Sequence, residues 1–155
     1  MKNTTLKIAL ILCFIFAGQM AIAQQKQIIN PDSLPPLSKS YSQAVKTTGG
    51  NTIYIAGQAS INAKKEIIGK GDFDAQVKRT LENLRTVLSA ANANPTDLVK
   101  INIYVVDLNP DKLLVLRSHL KDFVSENPPV STLIGVQALF NKDALVEIDG
   151  IANTK

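Results

Sequence analysis

Glu147 and Asp149 stand two residues apart in the strand-like run Leu145–Ile151. On a strand that spacing sends both side chains to one face, about 7 Å apart. Such a pair is either solvated or placed for chemistry, and carboxylates turned toward an inner sheet face need a reason to be there. The rest of the reactive inventory is short. His119 is the only histidine, which excludes a histidine-rich metal site. It sits three residues from Leu116 and four from Phe123, on the flank of a helical pattern, and reads as a partly buried surface residue rather than the base of a Ser-His-Asp triad. Cys13 is the only cysteine and lies inside an N-terminal apolar run, leaving no thiolate nucleophile and no cysteine ligand for zinc in the body of the chain. Gly69-Lys70-Gly71 lacks the glycine-rich run and the Lys-Ser/Thr ending of a phosphate-binding loop and reads as a turn.

The elements that must position the two carboxylates follow from periodicity. Thr52-Ile53-Tyr54-Ile55-Ala56 is a short strand, entered from the turn Gly49-Gly50-Asn51 and stopped by Gly57. From Asp72 the period changes: Phe73, Val77, Leu81, Leu84, Leu88 and Ala91 share one helical face. Asp72 is placed to cap that helix, and Asn92-Ala93-Asn94-Pro95 ends it. Val99, Ile101, Ile103 and Val105 alternate with Lys100, Asn102 and Tyr104 as a half-buried strand. Asn109-Pro110 opens a second helix through Leu113, Leu116, Leu120 and Phe123, stopped by Pro128-Pro129. Strands over 131–136 and 145–151 close the chain. The sum is one α+β domain, a mixed sheet with two helices packed on one face. The other face, with Tyr54, Asn102 and Tyr104, is left uncovered, and a face of that kind commonly meets another subunit.

The N-terminus does not belong to this domain. Lys2 and Lys7 precede the uncharged run Ile8–Phe16, and Ala21-Ile22-Ala23 supplies the small residues a signal peptidase needs, with Gln24 and Gln25 after them. The run is shorter than the roughly 20 apolar residues of a membrane-spanning helix. Residues 1–23 are therefore expected to be a cleavable signal peptide and the protein to be exported, to the periplasm or beyond. Residues 24–39, with Pro31, Pro35 and Pro36, read as an extended lead-in to a domain over 40–155. Cleavage would remove Cys13 and lower the formal charge from +4 to +2. A near-neutral, mixed surface does not suggest a nucleic-acid partner, and none at a membrane is expected after cleavage.

Four stretches, in order, resemble the reactive-intermediate deaminase (Rid/YjgF) family: Tyr41-Ser42-Gln43-Ala44; Tyr54-Ile55-Ala56-Gly57-Gln58; Leu81-Glu82-Asn83-Leu84 with Val99-Lys100 and Asp107-Leu108; and Ala144-Leu145-Val146-Glu147-Ile148 with Ile151-Ala152. The resemblance implies a chorismate-mutase-like domain assembled as a homotrimer, with a central barrel and small-molecule clefts between subunits. It implies hydrolysis of reactive enamines and imines to keto acid and ammonia without metal or organic cofactor. By the same resemblance Glu147 is the catalytic, water-directing glutamate, Tyr41 lines the cleft, and Asn109 lies near it.

One position departs. The family's substrate-binding arginine directly precedes a serine after the second helix, and here Pro128-Pro129-Val130-Ser131-Thr132 puts Val130 in its place. Valine has no planar donor fork, and no residue between Pro128 and Leu139 is positively charged. Losing that charge-assisted pair forfeits roughly 1.5–3 kcal/mol of carboxylate recognition. Two function classes follow. One is an enzyme acting on a small molecule held otherwise, with Glu147 managing water and Val130, Ser131 and Thr132 at the substrate wall. The other is a non-catalytic trimer binding a small ligand or partner in the same clefts. Ribonuclease activity, ascribed to some relatives, fits an exported protein of near-balanced charge poorly.

Overall fold

The computed structural model describes residues 25–31, 41–42, 44–124 and 126–155. The proposed signal segment 1–23, most of the lead-in and Gln43 lie outside them. A two-stranded ribbon comes first, β1 (Gln25–Ile29) antiparallel to β2 (Ala44–Thr48). Then come β3 (Asn51–Ala59), α1 (Phe73–Ala90), a 3-10 turn (Pro95–Asp97), β4 (Leu98–Val106), α2 (Pro110–Val124), β5 (Val130–Val136) and β6 (Val146–Thr154). The main sheet has four strands in the order β3-β6-β4-β5. Its β4–β5 pair is parallel, joined by α2, and β6 runs antiparallel to both of its neighbours.

The sheet and helices meet along one face, as the periodicity predicts. Ile55, Ile101, Ile103, Val105, Val146, Ile148 and Ala152 pack against Val77, Leu81, Leu84 and Leu88 of α1 and Leu116, Leu120 and Phe123 of α2. Asp72 caps α1, its carboxylate accepting from the Ala75 N–H at 3.0 Å. Asn109 caps α2, accepting from the Lys112 N–H at 3.0 Å. His119 is 2.8 Å from Asp74 and ties the two helices together on their outer side. Gly69 and Gly71 both take positive φ in the turn ahead of α1, in keeping with the turn expected there.

Two features differ from the expectation. β1 falls within the segment expected to be a lead-in and pairs with β2. Lys26 fixes it, its ammonium donating to the carbonyls of Leu98 (2.6 Å), Thr96 (3.1 Å) and Asn127 (3.1 Å). The second is Gly57, expected to stop its strand. β3 instead runs on to Ala59, with a register shift between Ile55 and Gln58. Such a bulge inserts an unpaired residue and re-aims the strand without ending it.

Candidate functional site

Alternation along paired strands decides what the uncovered face carries. Opposite to buried Ile101, Ile103 and Val105, β4 presents Lys100, Asn102 and Tyr104. In register with these stand Val130, Thr132 and Ile134 of β5, and Ile151, Asp149 and Glu147 of β6. Tyr54 joins them opposite Ile151. The face is wide open: Tyr54 is 80% exposed and Ile134 39%.

The two carboxylates differ in circumstance. Asp149 accepts from the Asn102 amide at 2.8 Å and from the Tyr104 hydroxyl at 3.1 Å. That hydrogen bond, helped by burial and by the nearby carboxylate charges, pushes the Tyr104 phenol above its ordinary pKa. Glu147 has no hydrogen-bond or ion-pair partner among the described residues. Burial, and then the charge of Asp149, raises its carboxyl above the ordinary range. Its side chain lies over the β3 bulge, where a Cβ on Gly57 would collide with it. Gly57 is thus the residue that lets the carboxylate seat against backbone. Asp149 is anchored; Glu147 is free to take or give a proton.

The expected site residues fall into two groups. Ser42 bridges to Val130, with its N–H donating to the Pro129 carbonyl at 2.9 Å and its hydroxyl to the Pro128 carbonyl at 2.6 Å. Tyr41, the preceding residue, is thereby brought to the Val130 end of the sheet, and Thr132 follows on the same face. Glu147, Gly57 and Asn109 gather at the opposite end, where β4 gives way to α2. Val130 and Glu147 are separated by two strand spacings and four residues of register, ~16 Å between Cα atoms. A small imine is much shorter than that span. Ser131 joins neither group, because alternation directs it to the helix-covered side with Ile101. Lys100, opposite Val130, and Gly57 were not among the expected site residues. The strand alternation carries the signal for the first, and nothing local to Gly57 carries it for the second.

Two concave regions of the single chain lie elsewhere among the described residues. One is bounded by Asn51, Asn92, Asn94, Asp97 and Thr154, the other by α1 and α2 around Arg85 and His119. Neither includes Glu147 or Val130.

The family model described as Endoribonuclease L-PSP matches residues 31–154. The chain belongs to the Rid family. A RutC family protein of Pyrococcus abyssi is 35% identical over 127 residues, covering 82% of this chain and 96% of that protein. A 2-iminobutanoate/2-iminopropanoate deaminase of Dermatophagoides farinae is 31% identical over 126 residues, covering 81% and 94%. A solved Rid-family structure from Yersinia pestis, of unknown function, superposes with a TM-score of 0.80 at 36% identity, covering 83% of this chain and 98% of that one. The Rid fold accounts for the single helical layer and for the sheet face left without one.

Proposed function

We propose that this Rid protein is exported and acts as a homotrimer whose clefts are each shared by two copies. One copy gives the end with Tyr41, Val130 and Thr132, and its neighbour the end with Glu147, Gly57 and Asn109. The observation that carries this reading is the placement of the site residues at opposite ends of one uncovered face. The exposed Tyr54 and Ile134 on that face gain by being covered.

The reaction such a cleft suits is hydrolytic deamination of a small imine. Glu147 accepts a proton from water as the water oxygen bonds to the imine carbon. Returning that proton to nitrogen gives a carbinolamine, and passing its hydroxyl proton through the same carboxylate to nitrogen lets the C–N bond break, leaving a carbonyl compound and ammonia. Every atom comes from substrate and water. Because Val130 offers no guanidinium, imines derived from amino acids are turned over far more slowly than by arginine-bearing relatives. The same substitution favours a second reading, a trimer that binds its ligand without catalysis.

Generating 2-iminopropanoate in the presence of the protein separates the two. Hydrolysis that disappears in Glu147→Gln supports the enzyme, and none from either protein supports the binder. Light scattering showing a monomer at micromolar concentration would remove the shared cleft altogether. Mass spectrometry of the exported protein, with Gln24 as the first residue, tests cleavage after Ala23.

A further inference from the structure

The strand beside Val130 returns a positive charge to its end of the sheet. Lys100 is opposite Val130 in the parallel β4–β5 register. Its successor Ile101 is buried beneath the helices, so Lys100 projects from the open face. Across β4 its other register partner is Ile151. The lysine stem therefore rises between two aliphatic side chains, each about 5 Å away at strand spacing. Apolar neighbours of this kind support the stem and leave the ammonium to water or to a ligand.

The ammonium makes no hydrogen bond and no ion pair among the described residues. Lys26, which also reaches this end, already donates to three carbonyls. Lys70 and Lys142 are both engaged with Asp143 elsewhere. At the Val130 end of the open face, Lys100 is a cation without such a partner among the described residues.

We propose that Lys100 holds the carboxylate of a small 2-oxo or 2-imino acid in the cleft, as a point charge in the space that Val130 leaves open. This rests on the shared-cleft reading above. An ammonium has three rotatable donors and no planar fork, so it attracts a carboxylate without fixing its plane. Binding then survives the absence of arginine while orientation for attack does not. The expected signature is a KM for 2-imino acids near that of arginine-bearing relatives with a much lower kcat.

The test is binding of pyruvate, and of its uncharged methyl ester, to the purified protein by calorimetry. Wild type should bind pyruvate more tightly than the ester. Lys100→Gln should weaken pyruvate binding about tenfold or more, the size of one lost charge-assisted contact, and leave the ester unchanged. Lys100→Arg should keep the preference. Equal binding of acid and ester by wild type, no detectable pyruvate binding, or an unchanged Lys100→Gln would overturn the proposal. So would a Lys100→Gln variant that alters only subunit association, since the lysine would then be pairing across the interface. Turnover is not part of this readout. A protein that binds pyruvate through Lys100 yet hydrolyses nothing refutes the catalytic reading alone.

Discussion

Replacing Gly57 by alanine puts a methyl group where the Glu147 side chain lies. The added Cβ would stand 2.7 Å from Glu147 Cδ and 2.9 Å from Cγ. Carbon atoms rest at 3.5 Å or more, so Cδ must retreat by about 0.8 Å and the carboxylate oxygen beyond it by more. The yielding partner is a side chain rather than backbone, so the relief is a rotamer adjustment costing about 1 kcal/mol. The functional cost is larger, because misplacing a reacting group by about 1 Å costs on the order of 100-fold in rate. Gly57→Ala is expected to melt within a few degrees of wild type and to lose about 100-fold in imine hydrolysis. Turnover is best measured in a Val130→Arg background, where the signal is largest. Adding Gly57→Ala to Glu147→Gln should change little more, since both act through one carboxylate. Carboxyl-detected NMR gives an independent readout: pushed toward solvent, Glu147 should titrate closer to an ordinary glutamate. A Gly57→Ala protein with unchanged turnover and unchanged Glu147 titration would refute the seating of this carboxylate on the bulge.

Further outcomes follow from the same geometry. Glu147 binds its proton at higher pH in the folded state than in the unfolded chain, so its ionisation opposes folding above that raised value. Glu147→Gln should therefore raise the melting temperature at pH 7, with the gain shrinking as pH falls and gone below about 4, where both states are protonated. Gln76 is fully buried and donates to the carbonyls of Gly69 (3.1 Å) and Asp143 (2.8 Å) while accepting from the Leu145 N–H (2.9 Å). Gln76→Leu strands those backbone groups and should cost about 3 kcal/mol, a drop on the order of 10 °C by calorimetry.

The helices were legible because their apolar residues all serve one purpose. Val77, Leu81, Leu84 and Leu88 recur at helical spacing, and each is buried in the core. β4 was legible for the same reason at the other period. β1 and β2 were not, because neither has a fully buried residue to mark a face. What holds β1 is Lys26, whose partners lie 70, 72 and 101 residues away. Gly57 misled because a glycine at the end of a β-rich run normally ends it. Its actual neighbour is a carboxylate on the last strand, which no local pattern announces. The family motifs single out Tyr41, Val130 and Glu147 but say nothing of how far apart the fold sets them. Their arrangement at opposite ends of one face comes from the registers of β5 and β6 on β4 and from the Ser42–Val130 bridge.

The most direct test of the account is the imine assay on wild type beside Val130→Arg. The shared cleft with a missing anchor predicts slow hydrolysis of 2-iminopropanoate by wild type and a clear gain in kcat for Val130→Arg, abolished by adding Glu147→Gln. Wild-type hydrolysis at the rate of arginine-bearing relatives, with no gain from Val130→Arg, would contradict it.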